Sequence, residues 1–231
     1  MKRIIVPTDF SKTAWNAALH ALEYANILNA EIVLINAFEE AHGGATAMLS
    51  IKEELRKDST REINIVYNEL KKQQAATGIT IHTLSMYGDL TNVLNNYVSS
   101  NGNDVIVIGT EGRSGIGGKL FGSNTSKVVD KIDCPIFIIP PNYHFSLSKG
   151  IACAISEFGD INDGDVDLLT EIVSNYYKPV LQLLHITTEA EAVEDDLVLP
   201  FSEFDSLETE YIDLIGDNIP KMLENYAVKT E

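Results

Sequence analysis

The sequence predicts an α/β fold: an open, parallel five-stranded sheet with helices on both faces, followed by a partial second α/β repeat. Three observations predict it. Short β-branched runs alternate with stretches of helical period through the first 140 residues. Two of the runs, Ile32-Val33-Leu34-Ile35 and Val105-Ile106-Val107-Ile108, are apolar on both faces, as strands covered on both sides must be. After Pro140-Pro141 a similar pattern starts again at Lys149–Ile155.

The elements follow in order. Residues 3–8 form a short apolar strand. Residues 11–28 place Trp15, Ala18, Leu19, Leu22 and Ala25 on one helical face. Residues 31–38 form the second strand. A long helix spans about 49–74, inward at Ile51, Leu55, Ile63, Val66 and Leu70, and ends near Gly78; its middle, Asp58-Ser59-Thr60, is weak enough to break. Residues 79–86 alternate as a third strand. Gly88-Asp89 leads into a helix with Leu90, Val93, Leu94 and Tyr97 inward. A strand at 104–108, a glycine-rich loop, a helix at 123–131 capped by Ser123, and a strand at 135–140 complete the set.

Strand, glycine-rich loop and helix start make an anion-binding layout. Glycine lets the backbone come close, and the helix start offers unpaired N–H groups and the positive dipole end. Two familiar phosphate motifs fail here. A P-loop needs glycine where Arg113 stands and Ser or Thr where Leu120 stands; the dinucleotide fingerprint also breaks at Leu120. What remains is Gly109-x2-Gly112-x9-Gly122-Ser123. With the opening strand Ile4–Ser11 and the Cys134-Pro135-Ile136 strand, it resembles the universal stress protein family.

The resemblance implies the strand order 3-2-1-4-5, shared with adenine-nucleotide α-hydrolases, and an ATP site with Mg2+ as an attendant ion. The implied nucleotide-binding residues are Thr8, Asp9, Ala37, Gly109, Thr110, Gly112, Gly122, Ser123, Asn124 and Thr125. Asp9 would lie by the ribose or an attendant metal, unless it only caps the first helix with Ser11. The Ala37 backbone would meet the adenine. Arg113 and Lys119 are the obvious cations for a triphosphate. The resemblance also implies association through the strand 135–139 as a homodimer, Ile136-Phe137-Ile138-Ile139 being too apolar for an edge left in water.

Charge divides the chain. Residues 1–148 carry 13 basic and 15 acidic side chains, whereas residues 149–231 carry 4 and 19. So acidic a second part repels nucleic acid and anionic membranes; it serves solubility or docks a basic partner. No apolar run is long enough to span a bilayer. Two cysteines make no disulfide framework, and reduced thiols in a cytoplasmic protein are expected. The five histidines have no ligand spacing; His185, on an apolar strand, reads as a core residue, and Trp15 as a core anchor.

Two domains are expected: residues 1–144, binding nucleotide, and residues 145–231, acidic and without the motif. In the second, Lys149–Ile155 echoes Lys2–Thr8, residues 163–177 form a helix and residues 179–186 echo the second strand. An acidic loop and a helix over about 203–226 then end it, with Ser156 or Glu157 in place of Asp9. The second domain is either a natural remnant or the front of a longer tandem protein. Nothing supplies a poised general base or a Walker lysine. The expected function is an ATP-binding regulatory protein of the stress response with an unknown protein partner and at most slow hydrolysis. The alternatives are a nucleotide-independent scaffold and an α-hydrolase enzyme, the latter disfavoured because Pro7–Ser11 is not the S-G-G-x-D-S loop.

Overall fold

The computed structural model describes residues 2–39, 48–74, 78–98, 104–110, 122–141, 143, 150–155, 163–175, 180–187 and 207–230. The chain divides into two units, Met1–Phe145 and Ser146–Glu231.

The first unit runs β1 (Arg3–Pro7), α1 (Lys12–Ile27), β2 (Glu31–Phe38), α2 (Met48–Gln74), β3 (Ile81–Tyr87), α3 (Leu90–Tyr97), β4 (Asp104–Gly109), α4 (Ser123–Lys131) and β5 (Ile136–Ile139). Its five strands are parallel in the order β3-β2-β1-β4-β5, as the resemblance implied. Ile5, Val33, Ile35, Ile106 and Ile108 pack with Val93, Leu94 and Val128 of α3 and α4. The alternate residues Ile4, Val6, Ile32, Leu34, Val105 and Val107 are buried on the opposite face, which α1 and α2 cover. Burial on both faces explains why these runs lack the polar alternation of a half-exposed sheet.

Three local expectations change. The deepest face of α1 is alanine: Ala14, Ala17, Ala18, Ala21 and Ala25 are buried, while Trp15 and Leu19 are only half-buried. The cause is close approach, since a Cβ at Gly109 of β4 would lie 2.5 Å from the Thr13 carbonyl oxygen of α1. Next, α2 does not break at Asp58-Ser59-Thr60. Ser59 turns inward and is 5% exposed, its hydroxyl bonded to the sheet, while the Thr60 hydroxyl donates to the Arg56 carbonyl. Finally, Gly122 rather than Ser123 holds the cap position of α4, and no side chain among the described residues caps that helix. Ser123 is already helical.

At the amino ends of the strands, Arg3 grips Asp104 with two hydrogen bonds of 2.8 and 2.7 Å. Asp104 is buried and its bond raises the Arg3 guanidinium, which lies 5.0 Å over the Tyr97 ring.

The second unit contains β6 (Gly150–Ile155), α5 (Asp163–Asn175), β7 (Val180–Thr187), β8 (Thr209–Ile215) and α6 (Ile219–Thr230). Its sheet is parallel in the order β6-β7-β8, packed on α5 through Val166, Leu181 and Leu183. The helix expected over 203–226 is therefore wrong. Gly216, at φ +156°, stands in the middle of that span and separates a strand from a shorter helix.

The correction extends the repeat by a strand and a helix. The Gly88 amide bonds the Phe38 carbonyl at 3.0 Å, and the Gly216 amide bonds the Thr187 carbonyl at 3.0 Å. Both glycines precede an aspartate and then a helix carrying an Asn-Tyr pair, Asn96-Tyr97 in one case and Asn225-Tyr226 in the other. In this register β8 answers β3, α6 answers α3, and His185 stands where Asn36 does.

Candidate functional site

A cleft of about 230 Å³ opens at the carboxyl ends of β1 and β4, where the strand order reverses. Ligands of open α/β sheets bind at such a switch point, because the connections leave the sheet in opposite directions and part above it.

Four segments build the cleft. The first is the turn after β1. Thr8 is buried, its amide bonded to the Ile35 carbonyl at 2.9 Å, and its hydroxyl accepts from the Phe10 amide at 3.1 Å. Phe10 takes φ +65°, unusual for a side chain of that size, and so reverses the chain within two residues. Asp9 is exposed at the tip, one carboxylate oxygen accepting from the Ser11 amide at 3.0 Å. Ser11, not Asp9, caps α1, taking the Ala14 amide at 3.2 Å.

The other three segments are the end of β2 at Ala37, the end of β4 at Ile108 and Gly109, and the start of α4 at Gly122–Thr125. The Thr125 hydroxyl donates to the Gly109 carbonyl at 3.1 Å, tying α4 to β4. Helices α1 and α3 are capped by Ser11 and Asp89; α4, which starts against the cleft, has no side-chain cap and no acid in its first turn. Among the described residues no side chain takes its first N–H groups, the part of a helix that suits an anion. Leu90 and Ile108 add apolar lining, and among the described lining residues Asp9 is the one charge.

Of the residues read from the sequence, Thr8, Asp9, Ala37, Gly109, Gly122, Ser123, Asn124 and Thr125 line this one cleft. Thr110 is buried behind them, its amide on the Ile139 carbonyl at 3.0 Å. Gly112, Arg113 and Lys119 lie outside the described residues. Gly109 has a packing reason to be glycine in the approach of Thr13, whereas the sequence reading rested on phosphate.

Sequence reading missed a buried polar chain behind the cleft. The Ser59 hydroxyl donates to Asn36 Oδ1 at 2.6 Å, and Asn36 Nδ2 donates to the Thr8 carbonyl at 2.6 Å. Two signals were there: an asparagine at the end of an apolar strand, and the serine in the weak middle of a long helix. Each was polar in the wrong place, and they satisfy one another.

Comparison with known proteins agrees with this fold. A universal stress protein of Methanocaldococcus jannaschii is 28% identical over 144 residues, covering 60% of this chain and 81% of its own. The structure of a universal stress protein from Lactobacillus plantarum is similar with a TM-score of 0.52 at 24% identity, covering 60% of this chain and 97% of its own. A universal stress protein structure from Archaeoglobus fulgidus reaches a TM-score of 0.72 at 14% identity, over 99% of this chain and 84% of its own, a likeness of fold. The family pattern itself matches residues 1–140, which contain the whole sheet and every described residue of the cleft, and so the chain belongs to the universal stress protein family.

Proposed function

We propose that the first unit binds one ATP and that the protein acts as a nucleotide-responsive regulator rather than a fast enzyme. The observation that carries this reading is the convergence of an uncapped helix start, Asp9 and the Ala37 backbone on one cleft. The triphosphate would take the N–H groups of Gly122–Thr125, the ribose would lie at Asp9, and the adenine would meet Ala37 over Leu90. An Mg2+ carried with the triphosphate fits a site with a single exposed carboxylate, because Mg2+ usually takes few protein ligands and keeps phosphate and water oxygens. Asp9 would be that ligand. The same reading makes residues 1–144 the nucleotide domain and 145–231 a domain without such a site, in a cytoplasmic protein whose first units pair through β5. No helix among the described residues is long and apolar enough to cross a membrane.

The test is the nucleotide content of the purified protein, by mass spectrometry, followed by calorimetric titration of stripped protein with ATP. One site per chain is expected. Two equivalent sites would reject the assignment to the first unit, and no binding would reject the nucleotide reading.

A further inference from the structure

Asn36 is 7% exposed and Ser59 is 5% exposed, with Thr8 of the β1 turn and Ser85 of β3 as their polar neighbours. Burying a carboxamide and a hydroxyl gains nothing over hydrocarbon even when they are paired. The register shows what the pair displaces. Pro7 lies opposite Ile35, so Thr8 lies opposite Asn36. The Thr8 amide reaches the Ile35 carbonyl, and a parallel ladder would continue with the Ala37 amide bonding the Thr8 carbonyl. That rung is absent among the described backbone bonds; the Thr8 carbonyl receives Asn36 Nδ2 instead. Residues two apart on a strand direct their backbone groups the same way, so the Ala37 N–H points, with the Ile35 carbonyl, to the β1 side, into the cleft that Ala37 lines.

We propose that Asn36, anchored by Ser59 of α2, takes the Thr8 carbonyl in place of the ladder rung and so reserves the Ala37 amide for the base of the nucleotide; this rests on the nucleotide reading above. Ser59 sets the orientation. A carbonyl only accepts, so Nδ2 must face Thr8, and Oδ1 then faces outward to take the Ser59 proton. An amide held open in this way recognises a ring nitrogen that accepts. Adenine offers one on its pairing edge, where guanine carries a hydrogen. Asn36 and Ser59 are thus positioning residues for base selection. In the second unit the same position is His185, whose Nδ1 is 3.2 Å from Asp213 of β8, while Ile155 stands where Thr8 does. The unit without the glycine loop also lacks this arrangement.

The test compares ATP and GTP binding to the full chain by calorimetry, for the native protein and for Asn36→Ala, Ser59→Ala and Ser59→Thr. In the alanine variants the rung closes and the donor is lost. ATP affinity should fall about tenfold, the worth of one ligand hydrogen bond, with GTP affinity unchanged. Ser59→Thr keeps the hydroxyl and should keep the preference. A merely structural role would weaken both nucleotides together. Ser59→Ala deletes one atom, so it decides the matter should Asn36→Ala unfold. Native protein that prefers ATP, with a Ser59→Ala ratio unchanged, overturns this inference and leaves the nucleotide site standing. Native protein that binds ATP and GTP alike also overturns it, and native protein that binds neither overturns the nucleotide reading first.

Discussion

At the residue scale, two glycines of one motif do different work. Gly109 faces the backbone of α1, where an added Cβ would lie 2.5 Å from the Thr13 oxygen. Backbone cannot rotate away as a side chain can. Gly109→Ala should therefore destabilise the first unit by about 3 kcal/mol, the upper end of the usual cost of overpacking, read as a shift in urea midpoint. A variant as stable as the native protein would show that α1 gives way easily. Gly122 holds an extended conformation, φ −63° and ψ 158°, which any residue adopts. On the proposed nucleotide reading, its constraint would come from the ligand. Gly122→Val should leave the urea midpoint in place and weaken ATP at least tenfold, about 1.4 kcal/mol; unchanged affinity in a folded variant would place the phosphates elsewhere.

At the scale of elements, the amino end of the sheet is held by charge. Asp104 of β4 is buried, and Arg3 of β1 is its bidentate partner. Removing Arg3 takes two close, charge-assisted bonds from a buried carboxylate. Arg3→Met should cost about 3 kcal/mol in denaturant unfolding, and a loss within error would mean that water replaces the guanidinium without penalty. Cys134, at the start of the β5 connection, donates its thiol to the Asp104 carbonyl at 3.2 Å. Burial, aided by the Asp104 carboxylate, pushes this thiol from 9.0 up to about 12. The folded state then holds a proton that the unfolded chain has lost, so stability falls as pH rises from about 9 towards 12 and is unaffected by this group below 9. Native Cys134 should resist iodoacetamide at pH 8 and react once the chain is unfolded in urea. Fast alkylation of Cys134 itself in folded protein, read by peptide mapping because Cys153 is also half-buried, would refute that shielding.

For the whole molecule, the open question is what the end strand β5 meets. Its apolar side chains have partners within their own unit: Ile136 and Ile138 pack on the α3–α4 core, and Phe137 stacks on Tyr24 of α1 at 4.4 Å. Asn16 of α1 donates to the carbonyls of Pro140 and Tyr143, drawing the chain after β5 towards α1. Hydrophobicity alone is thus a weaker argument for pairing than the bare sequence suggested. The argument left is the strand edge itself, since β5 ends the sheet order and offers a ladder to a second copy. Light scattering at tens of micromolar should show a dimer that Ile138→Lys dissolves. A monomer at that concentration would reject pairing through β5.

Composition and periodicity by themselves determined the strand–helix alternation, the spacing of the glycine motif and the point where the chain starts again. These are local signals: a buried strand must be apolar on both faces, and a helix keeps one face apolar along its own turns. The end of the second unit was misread because residues 209–215 mix exposed Tyr211 and Ile215 with half-buried Ile212 and Leu214, so neither period dominates. The echo of Gly88-Asp89 in Gly216-Asp217 was present but carries meaning only beside a hydrogen bond from a distant strand. The Ser59–Asn36–Thr8 chain was illegible for the same reason. Its members stand 23 and 28 residues apart, and each looks like a local defect until folding brings it against the next. Only the tertiary structure decided that Asn36 and Ser59 are hydrogen-bond partners, because a hydrogen bond is satisfied by distance in space and sequence records only distance along the chain.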